Sequence, residues 1–198
     1  MDVSDILRGE RVRLTAMRPD DAATLARWWD QGAFMRQFDS TPAVPKTEAQ
    51  MATYIEAHRA RSEAFLFAIR RTDDDSLLGQ LEFDGISWPH RTTYFSIVIL
   101  APEQRGQGYG QEALELGLRF AFHEINLHRV ALTVFAYNTR AIALYERLGF
   151  VHEGTHREFL ERDGQRHDML LYGLLRHEWE GLRGSGAGKR DSGNGDQG

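Results

Sequence analysis

The sequence contains no cysteine among its 198 residues. This absence excludes disulfide bonds, zinc–thiolate sites, iron–sulfur clusters and a cysteine nucleophile. A chain without thiols agrees with a reducing compartment, so we expect a cytoplasmic location. Group transfer by this protein would have to proceed directly or through another side chain.

Long apolar runs and excess positive charge are also missing. No segment approaches the roughly 20 apolar residues that a membrane span needs, and the first residues lack the apolar core of a signal peptide. The formal net charge is −5, which gives no overall positive field to attract nucleic acid. We therefore expect neither a membrane nor a nucleic acid as a partner, and an anionic ligand would need a local positive site.

The composition is that of a globular protein, with 41% hydrophobic and 27% charged residues. The length suits one domain whose core needs no covalent cross-links. From residue 183 onward the chain is rich in glycine and has no large apolar side chain, so this segment can bury little surface. We expect a single domain over residues 1–182 and a flexible tail over residues 183–198.

Strand and helix patterns alternate along the chain. The predicted strands cover residues 12–17, 65–69, 77–86, 93–100, 129–135, 150–160 and 166–175, and the predicted helices cover residues 19–29, 47–61, 107–124 and 138–148. Thr47 and Gln50 have the spacing of a capping box, Asn138 is the predicted N-cap of the last helix, and Gly149 is its predicted C-terminal stop. The two strands joined by the longest helix should be parallel, with a right-handed crossover, and the flanking strands should be antiparallel. The predicted fold is therefore α/β, a mixed sheet with helices on both faces.

The strongest chemical signal is the glycine-rich loop Arg105-Gly106-Gln107-Gly108-Tyr109-Gly110, which joins the most apolar strand to an amphipathic helix. Glycines lack the Cβ atoms that would keep a ligand from the backbone. The first N–H groups of a helix have no partners within it, and the helix dipole adds positive charge. The loop is therefore predicted to bind a phosphate or diphosphate, with Arg105 adding a charge-assisted contact.

This loop has four alternative interpretations. A P-loop would place Lys and Ser or Thr at its end, whereas Gln111 follows the last glycine here. A dinucleotide-binding fold carries its glycines after the first strand, and this loop lies in the middle of the chain. A tight turn without a ligand, and a nucleotide-binding α/β protein, stay open as alternatives.

A second pattern, His152-Glu153-Gly154-Thr155-His156, matches the zinc motif His-Glu-x-x-His. That chemistry requires a helix, which places both imidazoles on one face. Here a glycine interrupts the segment and the surrounding pattern predicts a strand. We therefore expect no metal site.

Two motifs resemble a known family. Residues 98–110 are similar to the acyl-CoA-binding motif Arg/Gln-x-x-Gly-x-Gly/Ala of the GCN5-related N-acetyltransferase (GNAT) superfamily. Residues 138–150 are similar to its signature Asn-x-x-Ala-x-x-x-Tyr-x-x-x-Gly-Phe. The resemblance extends over about residues 11–179 and is strongest to the branch of ribosomal-protein N-terminal acetyltransferases and spermidine acetyltransferases.

The resemblance implies a sheet whose two central parallel strands splay apart, with acetyl-CoA as cosubstrate in the wedge. The diphosphate would lie on the glycine-rich loop. The pantetheine arm would contact open backbone groups of the first strand and a residue near the end of the second strand, and the residues at these positions are Ile97, Val98, Ile99 and Asn138. A backbone N–H of Ile97, Val98 or Ile99 would also stabilise the oxyanion.

The resemblance also indicates a general acid, Tyr145, which occupies the tyrosine position of the second motif. An unperturbed tyrosine has a pKa of about 10, near that of an alkyl thiolate, so proton transfer to the leaving coenzyme is nearly balanced. The alternative is a tyrosine that only packs in the core.

The general base is less defined. Some members of the ribosomal branch carry a glutamate five positions before the asparagine motif, where this chain has Thr133. Glu82 and Asp84 alternate with apolar residues and share one strand face, so they are candidates for a base or for an anchor of a cationic amine. The alternatives are a solvated strand face and a water chain to solvent.

The sequence thus predicts an N-acetyltransferase that moves an acetyl group from acetyl-CoA to a primary amine in a ternary complex. The acceptor would be a small molecule or a protein N-terminus, and Trp28 and Trp29 are expected to cover the core and the cleft edge. A non-catalytic acyl-CoA-binding module is the alternative. A homodimer through the edge strand of the C-terminal hairpin is a further expectation.

Overall fold

The computed structural model describes residues 5–187, with side chains to residue 183. In these residues seven strands form one sheet. They are β1 (Val12–Ala16), β2 (Phe65–Arg71), β3 (Leu77–Ser87), β4 (Thr92–Ile99), β5 (Arg129–Phe135), β6 (Val151–Arg162) and β7 (Gln165–Leu175). Their order in the sheet is β1-β2-β3-β4-β5-β7-β6.

Six α-helices connect or follow the strands in the described part of the chain. They are α1 (Asp21–Trp29), α2 (Gly32–Phe38), α3 (Glu48–Arg59), α4 (Tyr109–Arg119), α5 (Thr139–Arg147) and α6 (Arg176–Ala187). A 3₁₀ turn at Pro102–Gln104 precedes α4, and a π-helical turn at Phe120–Glu124 follows it. None of the helices between residues 5 and 187 is both long enough and apolar enough to cross a membrane.

The predicted mixed sheet is confirmed, and its one parallel pair in residues 5–187 is the pair joined by α4. Strands β4 and β5 are parallel neighbours, while every other strand pair is antiparallel. The β4–β5 pairing covers Thr92–Tyr94 opposite Arg129–Ala131 and no further residues. Beyond that point the two strands separate, which leaves a wedge-shaped gap at the carboxyl end of β4.

Two apolar cores hold the helices against the two faces of the sheet. One core surrounds α4, and its fully buried members include Leu114 and Leu118. The other holds α1, α2 and α3, with Leu25, Met51 and Ile55 at its centre. Residues spaced by three or four positions present one apolar stripe of each helix to the sheet. The gap therefore lies between two rigid layers.

Two helices were not predicted. Helix α2 begins at a glycine and has only seven residues, so its local pattern is weak; it is held by aromatic contacts, with the ring centroids of Phe34 and Phe38 lying 5.5 and 5.7 Å from that of Trp29. Helix α6 is anchored by the buried Trp179. It includes residues 183–187 of the predicted tail, and the rest of that tail lies outside the described residues.

The long helix is also shorter than predicted. Gln107–Glu124 was expected to be one helix, but α4 begins at Tyr109, because Gly108 adopts a left-handed conformation with φ +88° at the N-cap. The chain then widens into the π-helical turn after Arg119, where the N–H of Ile125 donates to the carbonyl of Phe120. Both deviations shorten the regular helix and leave the loop before it as a separate structural element.

Three local signals are confirmed. Thr47 and Gln50 form the predicted capping box of α3. Asn138 caps α5, and its Oδ1 accepts the N–H of Ala141 at 3.3 Å. Gly149 follows α5 with φ +93°, a conformation that favours glycine at the end of a helix. These caps fix where α5, the helix that carries Tyr145, begins and ends.

A buried ion pair joins α1 to the sheet. Asp21 and Arg70 are 5% and 4% exposed, and the Arg70 Nη2 lies 2.7 and 2.6 Å from the two carboxylate oxygens of Asp21. Asp21→Asn leaves the guanidinium without its countercharge and should lower the free energy of unfolding by about 3–5 kcal/mol. Urea denaturation measures this loss.

The control for this experiment is Asp73→Asn, which breaks an exposed ion pair with Arg71. Surface pairs contribute about 0–1 kcal/mol, so this variant should unfold close to the wild-type midpoint. Equal urea midpoints for Asp21→Asn and Asp73→Asn would contradict a larger contribution of the buried pair to stability.

Candidate active site

A cavity of about 710 Å³ occupies the gap between β4 and β5. Its walls are the end of β4, the glycine-rich loop, one side of α5 and part of α2. The predicted ligand-contacting residues that line it are Ile97, Val98, Ile99, Arg105, Gly106, Gly108, Gly110, Asn138 and Tyr145. Gln107 and Tyr109, which the sequence grouped with them, do not line this cavity.

The loop backbone has the open shape that the glycines predict. Gly106 and Gly108 have φ angles of +80° and +88°, which other L-residues adopt at a cost. Gly110 begins the helix beside β4, and a Cβ atom on it would lie 3.5 Å from the Cγ1 of Ile99. The first N–H groups of α4 therefore face the cavity without a side chain between them and a ligand.

Two guanidinium groups flank this loop, and sequence reasoning identified neither of them. A Cβ atom on Gly106 would lie 2.5 Å from Arg140 Nη2, and one on Gly108 would lie 2.7 Å from Arg11 Nη2. Arg11 also donates from Nη1 to the carbonyl of Gln107 at 2.8 Å and pairs with Glu112 at 3.1 Å. The two cations add positive charge to a loop suited to an anion.

Arg105 lines the cavity and also binds the backbone at the end of β4. Its Nε and Nη2 donate to the carbonyl oxygens of Ile99 and Leu100, both at 2.9 Å, and its guanidinium lies over the ring of Phe34. Burial lowers the Arg105 pKa, and the nearby charge of Arg140 adds to this effect. Arg105 thus fastens the loop to the end of β4.

The open backbone groups at the end of β4 alternate in direction. The N–H of Leu100 donates to Leu78 of β3 at 2.8 Å, so the groups of Val98, two residues earlier, also face β3. Those of Ile97 and Ile99 face the gap, where the Ile99 carbonyl is taken by Arg105. The N–H groups of Ile97 and Ile99 are therefore the donors that a thioester carbonyl would meet, while Val98 contributes its side chain.

Tyr145 projects from α5 into the gap. It is buried, its ring packs 5.8 Å from that of Phe150, and it lines the cavity described above. Burial raises the pKa of its phenol to about 12. The hydroxyl is therefore protonated at neutral pH, but proton transfer to a leaving thiolate is less balanced than the unperturbed pKa of about 10 predicts.

A second cavity, of about 270 Å³, adjoins the first. The two share a boundary made by residues that line both, namely Gln37, Phe38, Ile97, Asn138, Ala141 and Tyr145. The second cavity is also lined by Asp39, Ser96 and Thr133. The Tyr145 side chain thus lies at the junction of a large cavity with a phosphate-type loop and a small cavity with polar walls.

Glu82 and Asp84 share one face of β3, as predicted, but neither lines the two cavities. The Oε1 of Glu82 lies 2.7 Å from His58 Nε2. Burial raises the Glu82 pKa, and His58 acts against that rise. Asp84 pairs with Arg61. The carboxylates therefore belong to a polar layer one strand away from the gap.

The His58 ring has a defined tautomer in this arrangement. Its Nδ1 lies 2.9 Å from the carbonyl oxygen of Tyr54, which can only accept, so Nδ1 carries a hydrogen. The contact between His58 Nε2 and Glu82 then requires one proton between them, held by either partner. No spacing rule in the sequence connects His58 of α3 with β3, so this pair could not be predicted.

Trp28 and Trp29 lie partly where the sequence predicts, at the core and the edge of the cleft. Trp29 is buried in the core of α1, α2 and α3, and Trp28 is half-buried beside it. Trp29 packs edge-on against Phe38. Because Phe38 lines both cavities, this aromatic cluster supports the wall of the gap.

A mixed sheet whose parallel pair splays apart beside an anion-binding loop defines the class of acyl-CoA-dependent acyltransferases that the sequence motifs predicted. Comparison with known families agrees, because the model of the acetyltransferase (GNAT) domain matches residues 11–151. The chain belongs to this family and is an acyltransferase.

Curated relatives carry consistent descriptions. The chain is 28% identical over 172 residues, 87% of its length and 94% of the other, to the SPbeta prophage-derived N-acetyltransferase YokL of Bacillus subtilis, which is itself uncharacterised. It is 34% identical over 104 residues, 52% of its length and 60% of the other, to the spermidine N(1)-acetyltransferase of Vibrio cholerae.

Solved structures show the same fold. A crystal structure of the Vibrio cholerae spermidine N-acetyltransferase with CoA and spermine has a TM-score of 0.78 at 24% identity, covering 85% of this chain and 98% of that one. A dodecameric form of that enzyme has a TM-score of 0.71 at 24% identity, with 85% and 95% covered. Acetyl-CoA as cosubstrate agrees with the family and with the coenzyme in this neighbour.

Proposed function

We propose that the protein transfers the acetyl group of acetyl-CoA directly to a primary amine while both substrates are bound. The observation that carries this proposal is the placement of Tyr145, a protonated phenol, at the junction of the two cavities. The larger cavity suits the coenzyme and the smaller one suits the amine. Direct transfer requires no covalent enzyme intermediate, which fits a chain without cysteine.

In this proposal the coenzyme lies along the open edge of β4. Its diphosphate would be bound by the first N–H groups of α4, between the glycines of the loop and the guanidinium of Arg140. The thioester carbonyl would accept a hydrogen bond from the N–H of Ile97. As the amine attacks, negative charge develops on that carbonyl oxygen, and a fixed donor stabilises it more than in the ground state.

The chemical step then balances as follows. The neutral amine forms the new bond to the acetyl carbon, the bond from that carbon to sulfur breaks, and the leaving thiolate takes the proton of Tyr145. The nitrogen, which is positively charged after the attack, then gives up one proton, and this proton restores the Tyr145 phenol. Holding amine and thioester in adjoining cavities also supplies part of the rate enhancement by proximity. The products are an acetamide and free CoA, whose thiol reports the reaction.

For the proton of the incoming ammonium, we propose the Glu82–His58 pair as acceptor, which loses its shared proton to solvent before it takes up the new one. Glu82 is opposite Ser96 in the β3–β4 ladder, and Ser96 lines the smaller cavity. Residues directly opposite in a ladder project to the same side of the sheet. Because burial raises the pKa of Glu82, its carboxylate takes up a proton more readily than an exposed one. Asp84, which is bound to Arg61, is given no step of its own.

Glu82→Gln should lower kcat/KM about tenfold at neutral pH, because the carboxamide cannot take the ammonium proton. Above the pKa of the acceptor amine the loss should fall to less than about twofold, since the amine then enters without its proton. Initial rates across this pH range measure the effect. Asp84→Asn serves as the control, and a loss in Glu82→Gln that is independent of pH would contradict the proposed role.

The proposed activity is tested by thiol release from acetyl-CoA over a panel of primary amines. Amine-dependent release, with the acetamide identified by mass spectrometry, would support it. CoA binding without release for every amine would favour the non-catalytic binding module. Tighter binding of ATP than of CoA would favour the nucleotide-binding alternative.

We also propose that the chain self-associates through β6. This strand is at the edge of the sheet and most of its side chains are exposed, and an unpaired strand edge can pair with another copy. The dodecameric neighbour supports the proposal. Light scattering should give a multiple of the 22.6 kDa chain mass, and a monomeric mass would contradict it.

A further inference from the structure

The smaller cavity provides negative charge for one ammonium group. Among its described lining residues Asp39 is the one carboxylate, and none is Lys, Arg or His. The two acidic side chains on the neighbouring face of β3, Glu82 and Asp84, are already bound to His58 and Arg61. A second cationic group on the acceptor would therefore find no unpaired carboxylate within this part of the structure.

Two guanidinium groups lie near this cavity without lining it. Arg162, at the end of β6, donates from Nη2 to the carbonyl oxygens of Asp39 and Thr41 at 3.0 and 3.3 Å. Arg36 of α2 pairs with Asp163 at 2.6 Å. Two guanidinium groups and one exposed carboxylate thus connect α2 to the β6–β7 hairpin beside the cavity.

Arg36 and Arg162 both lie close to Tyr137. The hydroxyl of Tyr137 donates to the carbonyl oxygen of Arg36 at 2.6 Å. Both Arg36 and Arg162 act on the Tyr137 pKa in the direction expected of nearby positive charge, although burial raises it overall. Tyr137 lines the larger cavity, next to the boundary that both cavities share.

Arg162 has an unsatisfied donor. Its Nε is buried and has no hydrogen-bond partner among the described residues. Buried N–H groups are nearly always paired, so an orphan in a native structure calls for an explanation. The planar guanidinium is best matched by carboxylate or carbonyl oxygens.

We propose that the acceptor is an α-amine, with a carbonyl or carboxylate group one carbon from the nitrogen, and not a polyamine. Asp39 would receive the ammonium end, and Arg162 would receive the carbonyl or carboxylate oxygen. A polyamine would instead bring its second ammonium toward Arg162, which has carbonyl oxygens as its partners and no carboxylate among the described residues, and like charges repel. The inference rests on the proposed acetyl transfer and narrows its acceptor, in contrast to the spermidine-specific relatives.

The first test compares kcat/KM for spermidine, alanine, alanine amide and a tripeptide that begins with alanine, using thiol release by the full chain. We expect the best α-amine to exceed spermidine at least tenfold. Comparing free alanine with the amide and the tripeptide shows whether the acceptor α-amine belongs to a free amino acid or to a polypeptide N-terminus. A higher kcat/KM for spermidine than for every α-amine would overturn the inference and leave the proposed acetyl transfer intact.

The second test uses Arg162→Met with Arg162→Lys and a control. Arg162→Met should raise KM for the α-amine at least tenfold, leave KM for acetyl-CoA unchanged and raise the relative rate with spermidine. Arg162→Lys keeps the charge, so its KM for the α-amine should lie between the values for the wild type and for Arg162→Met. The control is Arg166→Met, whose guanidinium pairs with Glu161 at 2.9 Å on the same hairpin.

Two outcomes of these experiments count against the inference. Equal losses for spermidine and the α-amine in Arg162→Met, with CoA binding retained, would show that Arg162 acts only on structure. Absence of thiol release with every amine would overturn the proposed function and this inference together.

Discussion

Tyr145→Phe lowers kcat by about 10²-fold while the affinity for CoA stays within about twofold of the wild type. The phenol is the one acid at the junction of the two cavities among the described residues, and its pKa of about 12 keeps it protonated throughout the working pH range. Removal of a positioned acid costs about 10²–10⁴-fold in rate. Because phenylalanine keeps the ring, the packing against Phe150 is retained.

The control for this prediction is Tyr172→Phe. Tyr172 is also buried, but its hydroxyl donates to Glu146 at 2.9 Å and does not line either cavity. Removal of the Tyr172 hydroxyl should leave kcat nearly unchanged. Steady-state kinetics and calorimetry with CoA separate turnover from binding in both variants. A wild-type kcat in Tyr145→Phe would show that the phenol does not act as the proton donor.

Gly108→Ala weakens CoA binding by about 10–100-fold. Gly108 has φ +88°, and a left-handed conformation costs a non-glycine residue about 1–2 kcal/mol. The added methyl group would also lie 2.7 Å from the Arg11 guanidinium, so either the loop or Arg11 must move. Each 1.4 kcal/mol corresponds to a tenfold change in affinity, and the loop strain and the displaced N–H groups act in the same direction.

Gly164→Ala is the matched control for backbone strain. Gly164 lies in the β6–β7 turn with φ +74°, and a Cβ atom there would meet nothing within 4 Å. This variant should lose stability in thermal unfolding but bind CoA like the wild type. The same affinity for CoA in Gly108→Ala and Gly164→Ala would mean that the loop does not hold the coenzyme.

The features that were predicted from the sequence are those with local signals. The glycine loop, the Asn138 cap and the tyrosine two turns into α5 are each encoded within a few neighbouring residues. The parallel pair also followed, because a helix between two strands enforces a crossover. These elements give the fold and the position of the larger cavity.

Features that depend on distant residues were not predicted. Arg11 meets Glu112 across 101 positions of sequence, and Arg140 reaches Gly106 only because α5 packs beside the loop. Arg105 is a local exception, because its side chain binds the carbonyls of Ile99 and Leu100 only six and five positions earlier, and its charge alone did not indicate this contact. Sequence spacing gives the face of an element but not the partner opposite that face.

The acidic residues illustrate this limit on one strand. Alternation correctly placed Glu82 and Asp84 on one side of β3. Their pairing with His58 and Arg61 depends on how α3 and the following loop pack on the sheet. That packing decides whether a carboxylate is free to hold a cationic substrate, and so it changes the expected acceptor.

The central claim, that main-chain N–H groups of the glycine loop bind the coenzyme diphosphate, is tested most directly by titration calorimetry of the wild-type chain with CoA and with pantetheine, which lacks the diphosphate. We expect CoA to bind at least about 100-fold more tightly than pantetheine, since the loop supplies charge-assisted hydrogen bonds that pantetheine cannot accept. Equal affinity for the two ligands, or no heat with CoA, would contradict the account.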